Sequence, residues 1–190
     1  MKKLIGLVLL IAGLAFMAYP FLEEGKQAKD TRSLERALAL INSGEPADPA
    51  DLDNLPVSEE ALENTIRIEI PSIGIDQLVL PETTAENLNL ALTQIKPDQT
   101  PGEGNFTIAG HRGWRDGRHF SNLSKVKKGD RVILQANDKE YIYEVTGSEV
   151  IPPTAVDVLN DRPGKHELTL ITCTVTGADR LAVKGKLIDE

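Results

Sequence analysis

The sequence has 190 residues, which is long enough for one domain with accessory segments, and its 41% hydrophobic and 4% aromatic content predicts a mainly aliphatic core. The formal net charge of −8 argues against a nucleic-acid-binding protein, because phosphates require a basic protein face. Cys173 is the single cysteine, so an intramolecular disulfide is excluded.

An apolar run from Leu4 to Leu22 follows two lysines at the N-terminus. Its 19 positions match the ~20 residues that a helix needs to cross a bilayer. A cleaved signal peptide is the alternative, but the apolar run continues past the small residues near Gly13. We therefore expect residues 1–22 to be an uncleaved transmembrane anchor that leaves the rest of the chain outside the membrane.

Residues 23–64 hold most of the acidity, with 11 Asp or Glu residues against 4 Lys or Arg. Apolar residues at helical spacing, including Leu34 and Leu38, predict a short helix that ends near Gly44. Beyond it, closely spaced prolines with acidic neighbours are typical of a solvated tether. The segment is interpreted as an acidic extracytoplasmic linker.

From Thr65 the sequence changes to short runs with the composition and alternation of β-strands. Strands are predicted at residues 66–70, 73–80, 105–109, 130–134, 141–145 and 150–151, and around Leu170 and Leu181. One helix is predicted over residues 85–95. Seven or eight strands at this spacing indicate a closed barrel or a sandwich, and the barrel is preferred because it leaves no edges. A parallel α/β sheet is disfavoured, since regular crossover helices are missing.

Cys173 ends one of these runs, and residues 174–179 form a short loop before Arg180. If that loop closes a hairpin, the guanidinium returns to the side of the thiol. A strand end is a rigid mount for a nucleophile, and an arginine stays charged while it stabilises an oxyanion. The alternatives are a core role for Cys173 and a plain ion pair of Arg180 with Asp179 or Glu167.

A nucleophilic thiol needs a proton acceptor, because most thiols are protonated at neutral pH. His111 is the favoured partner, since it lies at a predicted strand end between glycines that let the backbone turn and expose the ring. His119 in a polar loop and His166 in a predicted surface turn are interpreted as structural or solvated residues.

The segments Ala109-Gly110-His111 and Thr169-Leu170-Ile171-Thr172-Cys173, followed by Arg180 before an apolar strand, resemble the sortase family of cysteine transpeptidases. The resemblance covers residues 65–190 and includes the order His, Cys, Arg. It implies an all-β domain with short helices, built as a closed eight-stranded β-barrel of sortase type. The expected organisation is an anchor over residues 1–22, a linker over 23–64 and a catalytic domain over 65–190.

The resemblance also implies a reaction. Cys173 attacks the Thr–Gly or Thr–Ala bond of an LPxTG-like sorting signal on a secreted protein, and His111 moves protons. Arg180 holds the substrate and stabilises the tetrahedral intermediate, while Thr172 either binds substrate or packs. The acceptor is an amine of a peptidoglycan precursor or of another surface protein. The expected location is a single-pass membrane protein of a Gram-positive-type envelope, with its catalytic domain outside the cell.

No cofactor is implied. Some members of the family bind calcium through carboxylates before the His strand, but residues 96–103 contain too few clustered carboxylates here, so no metal is expected. The sequence shows neither a C-terminal apolar anchor nor an aromatic lid segment. These features favour a class A-like or class D-like member over the pilus-building class.

The run Leu80-Pro81-Glu82-Thr83-Thr84 resembles a sorting signal, but Thr84 before Ala85 is typical of a helix cap and favours a structural interpretation. Two other functions are considered. An L,D-transpeptidase is disfavoured, because the Ser-x-Gly-Cys neighbourhood of that family is missing. A non-catalytic, membrane-anchored β-barrel binding module, with Cys173 in the core, is the remaining alternative.

Overall fold

The computed structural model of the chain describes residues 7, 10–19, 29, 31–36, 38, 57–113 and 118–189. The chain divides into two compact units, Met1–Pro56 and Val57–Glu190.

In the first unit, residues 10–19 and 31–36 are helical. Among the described residues no helix has both the length and the apolar character needed to cross a membrane. Parts of the predicted anchor (1–6, 8–9 and 20–22) and of the predicted linker (23–28, 30, 37 and 39–56) lie outside the described residues.

The second unit is a closed barrel formed by eight strands of the described residues, which confirms the predicted fold class. The strands are β1 (Ile66–Ile70), β2 (Ile75–Leu80), β3 (Leu92–Gln94), β4 (Asn105–Ala109), β5 (Arg131–Ala136), β6 (Lys139–Ile151), β7 (Glu167–Cys173) and β8 (Arg180–Asp189). Two short α-helices, α1 (Glu59–Glu63) and α2 (Ala85–Leu90), are described with them. Three 3₁₀ turns cover Pro71–Ile73, Leu123–Lys125 and Val156–Leu159.

The strand order around the barrel is β1-β2-β3-β4-β7-β8-β6-β5, and β5 returns to β1. The β2–β3 and β4–β7 pairs are parallel, whereas the other pairs are antiparallel. The C-terminal hairpin β7–β8 therefore fits between β4 and β6. This arrangement brings a strand from the middle of the sequence beside the strand that carries the cysteine.

The barrel interior is aliphatic, as the composition predicts. On β1, Ile66, Ile68 and Ile70 are buried while Arg67 between them is exposed, which is the period-two pattern of a half-buried strand. Phe106 and Ile108 of β4 and the inward residues of β7 belong to the same core. The residues between them on β4 and β7 therefore lie on the outer face of the barrel wall.

Two predicted elements differ from the structure. The helix predicted over residues 85–95 ends at Leu90, because Ala91 is extended and Leu92–Gln94 forms β3 between β2 and β4. Residues 150–151 are not a separate strand but the end of β6, whose pairing with β8 shifts register at two points. The helix α1 falls within the second unit.

The sequence that resembles a sorting signal is part of the fold. Leu80 is fully buried at the end of β2, and the Thr83 hydroxyl donates to the Gln94 carbonyl at 2.7 Å. The Thr84 hydroxyl accepts a hydrogen bond from the Asn87 amide at 3.0 Å, so Thr84 caps α2 as expected. This run is a structural turn and a helix cap.

Candidate active site

Cys173 is the last residue of β7 and is partly exposed. In the antiparallel β7–β8 ladder its direct partner is Arg180, the first residue of β8. Opposed residues in such a ladder have Cβ atoms about 5 Å apart, so the thiol and the arginine side chain leave the sheet as neighbours. The predicted hairpin is therefore confirmed.

The loop between these two residues holds the guanidinium. Arg180 Nη1 donates to the carbonyls of Gly177 and Asp179, each at 3.2 Å. Gly177 has φ +75°, a conformation that favours glycine, and its amide donates to the Thr174 carbonyl at 3.0 Å. The hairpin loop thus restrains the arginine beside the strand end.

His111 lies at the same end of the neighbouring strand. Ala109 on β4 pairs in parallel with Ile171 on β7, and the Gly110 amide extends this pairing by donating to the Ile171 carbonyl at 3.1 Å. His111 lies two residues after Ala109 and Cys173 lies two residues after Ile171, so the two residues are level with each other. The structure therefore brings the three predicted catalytic residues to the ends of three adjacent strands.

The three residues also share a face. Side chains alternate along a strand, and Phe106, Ile108, Leu168 and Leu170 point into the core. Cys173, like Thr169 and Ile171, consequently lies on the outer face of the wall. His111 is exposed, as expected for a residue beyond the end of β4.

Gly110 lets the backbone before His111 pack closely. A Cβ atom at this position would lie within 2.8 Å of Phe120 Cδ2 and would also overlap the Leu92 side chain. Phe120 is fully buried, and its amide donates to the His111 carbonyl at 3.1 Å. The close packing fixes the backbone from which the imidazole projects.

Thr172 is almost fully buried, and its hydroxyl donates to the Gly110 carbonyl at 2.8 Å. This hydrogen bond ties β7 to the residue before His111. The predicted substrate-binding role of Thr172 stays a prediction, and the observed contact is a support for the backbone of the site.

A pocket of about 310 Å³ lies further along the outer face of β7, under the β6–β7 loop (residues 152–166). Asn105, Thr169 and Val158 are among its lining residues. The Thr169 hydroxyl donates to Asn105 Oδ1 at 2.7 Å, and Asn105 Nδ2 donates to the Val158 carbonyl at 3.0 Å. This network attaches the loop to the two strands that carry His111 and Cys173.

Lys96 and Asp161 hold the same loop from the other side. Lys96 Nζ lies 2.7 Å from Asp161 Oδ1. The same oxygen also accepts a hydrogen bond from the backbone amide of Asn105 at 2.8 Å. The Lys96 ammonium, together with the Asn105 amide, lowers the pKa of Asp161. Residues 96–103 thus contribute Lys96 to an ion pair with Asp161 that holds the β6–β7 loop, and we refer to this ion pair as the clamp.

Among the described residues, no group of three or more His, Cys, Asp or Glu could hold a metal ion. The absence of a metal requirement stays a prediction.

The structure buries His119 beside His111, a position that was not predicted from the sequence. It is 6% exposed, and its ring centroid lies 6.4 Å from that of His111 with an interplanar angle of 77°. Burial, reinforced by the charges of Arg118 and His111, lowers the pKa of His119 to about 4. The adjoining Phe120, an aromatic residue in an otherwise polar loop, was the available signal that this loop folds back onto the barrel.

His166, the third histidine, is exposed, and its Nδ1 contacts the Gly102 carbonyl. It lies just before β7, at the opposite end of that strand from Cys173. The structure therefore separates His166 from the site, in agreement with its interpretation as a surface residue.

Comparisons with known proteins agree on one family. A family model described as a sortase domain matches residues 68–188. The sortase A of Bacillus anthracis is 30% identical over 98% of this chain and 94% of its own length.

Solved structures give the same result. A sortase D5 transpeptidase of Clostridium perfringens is 31% identical, with a TM-score of 0.62 over 70% of this chain and 91% of the other. A sortase A of Listeria monocytogenes is 34% identical, with a TM-score of 0.62 over 67% of this chain and 88% of the other.

Proposed function

The chain belongs to the sortase family of cysteine transpeptidases, and from this premise we propose that it cleaves an LPxTG-like sorting signal of secreted proteins and transfers the cleaved protein to an amine of the cell wall or of another surface protein. The observation that carries the proposal is the register of three adjacent strands, which places His111, Cys173 and Arg180 at one end of the barrel wall.

In the first step, the Cys173 thiolate attacks the carbonyl carbon of the Thr–Gly or Thr–Ala bond. Arg180 donates to the oxyanion of the tetrahedral intermediate, a role that suits a guanidinium restrained by its own hairpin loop. The C–N bond then breaks as the His111 imidazolium gives its proton to the departing amine. The products are a thioester on Cys173 and the released C-terminal peptide.

In the second step, an acceptor amine attacks the thioester carbonyl while neutral His111 takes its proton. The C–S bond breaks, the thiolate of Cys173 returns, and a new amide joins the two partners. Each proton that His111 gives is thus recovered in the same cycle. Thr172, through its bond to the Gly110 carbonyl, is proposed to hold His111 and Cys173 in register, beside its predicted contact with substrate.

The pocket under the β6–β7 loop supports binding of an extended peptide. Thr169 precedes Cys173 by four residues on β7, which corresponds to roughly 13 Å along a strand. A four-residue segment in extended conformation spans about the same distance. With its threonine carbonyl at Cys173, the first residue of such a motif would therefore reach the pocket, whose lining includes Ile151, Val158 and Leu168.

A peptide-library cleavage profile tests this function. We expect full-length enzyme with a reduced thiol to cleave Leu-Pro-x-Thr-Gly or Leu-Pro-x-Thr-Ala peptides after the threonine and to show a thioester adduct in intact-protein mass spectrometry. Cys173→Ala should show neither product nor adduct. If the wild type cleaves no member of the library while Cys173 still reacts with a small methanethiosulfonate reagent, this substrate class is wrong.

We also propose that residues 4–22 anchor the chain in the membrane, with the catalytic domain extracytoplasmic in a Gram-positive-type envelope. The support is the length of the apolar run and the exposure of its described side chains, such as Phe16 at 85% and Met17 at 68%. In a Gram-positive host, the full chain should remain in the membrane fraction after alkaline carbonate washing. Release by that wash would contradict an integral anchor.

A further inference from the structure

We propose that His119 is a positioning residue whose Nδ1 accepts a hydrogen bond from the His111 imidazole during the reaction, so that His111 is oriented towards Cys173. The inference rests on the proposed role of His111 as the proton carrier. It adds a second histidine, which the sequence motif of the family resemblance does not include.

The first support is an unsatisfied atom. Nδ1 of His119 is buried and has no hydrogen-bond partner among the described residues. Buried ring nitrogens in native proteins are usually paired, so an unpaired one marks a place where a hydrogen-bond partner is needed. The ring of His111, which carries an N–H donor, lies edge-on to the His119 ring with the two centroids 6.4 Å apart.

The second support is the distance. Two imidazoles joined by an N–H···N bond of about 2.9 Å have centroids about 5 Å apart. The observed separation is therefore about 1 Å longer than a direct bond requires. Hydrogen bonds between catalytic groups are often long in ligand-free structures and tighten in the complex, and the exposed ring of His111 has room to turn.

The third support is the backbone. His119 has φ +46°, in the left-handed region that non-glycine residues adopt at a cost. An isolated β-bridge between Arg112 and His119, together with the Phe120–His111 hydrogen bond, holds this conformation. Strained conformations held in place by surrounding contacts cluster at functional sites.

The charge state of His119 suits an acceptor. Burial is the main reason that the pKa of His119 is about 4, and the charges of Arg118 and His111 add to it. His119 is consequently neutral at physiological pH and offers a lone pair. The neutral ring of His119 can therefore accept the N–H of His111 in the protonated form that the proposed mechanism uses.

Two substitutions at position 119 distinguish the effect of the hydrogen-bond acceptor from the effect of the aromatic ring. His119→Gln keeps a hydrogen-bond acceptor without a titratable group, whereas His119→Phe keeps an aromatic ring without an acceptor. Cleavage is measured with the full-length chain in detergent, on the best peptide of the library, as kcat, KM and the pH profile of kcat/KM. His166→Gln is the matched control for loss of a distant histidine.

We expect His119→Phe to lower kcat about tenfold or more with KM within about twofold, because a misaligned general acid affects the chemical step. The limb of its pH profile that depends on a protonated general acid should move to lower pH, since the hydrogen-bond acceptor that stabilises the proton carrier has been removed. His119→Gln should keep kcat within about threefold, and His166→Gln should match the wild type.

Two results would overturn the inference alone: wild-type kcat and pH profile in His119→Phe, or an equal loss in both His119 variants with an unshifted pH profile. The second result would make His119 a purely structural residue. A further variant, His111→Ala, tests the proposed role of His111 as the proton carrier. Full cleavage activity in His111→Ala would contradict both the proposed mechanism and the inference about His119. An inactive His111→Ala together with an unaffected His119→Phe would contradict only the inference about His119.

Discussion

Arg180 lies directly opposite Cys173 in the β7–β8 ladder, and its guanidinium is held by the Gly177 and Asp179 carbonyls of the loop that joins the two strands. One hairpin therefore carries both the proposed nucleophile and the cation proposed to stabilise the oxyanion. Their direct opposition in the ladder sets their separation.

Replacing Arg180 by lysine should lower kcat about 100-fold, because a lysine keeps the charge but lacks the planar set of donors. The rate at which a methanethiosulfonate reagent labels Cys173 should change little. Arg67→Lys, at an exposed strand arginine that pairs with Asp76, is the matched control and should leave kcat unchanged. An Arg180→Lys enzyme with wild-type kcat would show that the guanidinium does not act on the oxyanion.

Removing the charge of Asp161 should loosen the β6–β7 loop. Asp161→Asn loses the ion pair with Lys96, so we expect faster hydrogen exchange in residues 152–166 and a raised KM with little change in kcat. Asp138→Asn, in the β5–β6 turn, serves as the control. Unchanged exchange in the loop would show that the Asn105 network alone holds it.

The same clamp should weaken in acid. Because the folded-state pKa of Asp161 lies below its ordinary value of 3.8, the clamp contributes fully above that pH and is lost as the pH falls through the lower folded-state value. Protection of the loop amides, measured relative to their intrinsic exchange rate at each pH, should therefore fall below about pH 4 in the wild type. Asp161→Asn should show no such loss of protection from this site.

Alanine at position 110 should disturb the site more than alanine at another glycine. The added Cβ would overlap Leu92 and Phe120, and overpacking of this kind costs about 1–3 kcal/mol of unfolding free energy. Because the His111 backbone rests on Phe120, activity should fall as well. Gly147→Ala, where nothing lies within 4 Å of the new Cβ, is the control. Equal stability of the two variants in urea would contradict the close packing.

Thr172→Val should destabilise the domain by about 1–3 kcal/mol, because it leaves the buried Gly110 carbonyl without its hydrogen bond. Thr172→Ser keeps the hydroxyl and should restore most of the stability. Urea unfolding gives the free energy, and KM for the best peptide tests the predicted contact with substrate. A raised KM in a fully stable Thr172→Val would favour substrate binding over support of the strand.

His119 should make the domain sensitive to mild acid. Its pKa is about 4 in the folded chain, whereas the ordinary value for histidine is 6.5, so between these pH values the unfolded chain binds a proton that the folded chain excludes. Stability is therefore complete above pH 6.5 and falls by up to ~3 kcal/mol as the pH drops to 4. His119→Gln should show a flatter dependence over this window in urea unfolding. If the free energy of unfolding depends on pH in the same way in wild type and His119→Gln, a group other than His119 causes the dependence.

The barrel could be predicted from the sequence because its signals are local. Alternation on β1 and the short loop before Arg180 each depend on a few neighbouring residues. Closure followed from the number of strands and the advantage of leaving no edge. The pairing of β4 with β7, which brings His111 to Cys173, joins segments about 60 residues apart. The pairing itself was not predicted, and the joint action of His111 and Cys173 was expected only from the family resemblance.

The parts that could not be predicted depend on distant contacts. Leu88, Ala91 and Ile95 have helical spacing, yet Leu92–Gln94 forms a strand because β2 and β4 offer it partners on both sides. The burial of His119 depends on how its loop folds over the barrel end, which no local pattern encodes. The pairing of Lys96 with Asp161 likewise joins two loops 65 residues apart.

The place of the β7–β8 hairpin has a consequence for how the enzyme matures. Strands β1 to β6 can pair into a curved sheet whose free margins are β4 and β6, and the hairpin with Cys173 and Arg180 fills the gap between them. The contacts that seal this seam are long-range, so the chain must close long loops before they can form. Sealing the seam is also the event that brings the sulfur to the imidazole. A chain in which this seam is still open accordingly lacks the juxtaposition of His111, Cys173 and Arg180 on which the proposed reaction depends.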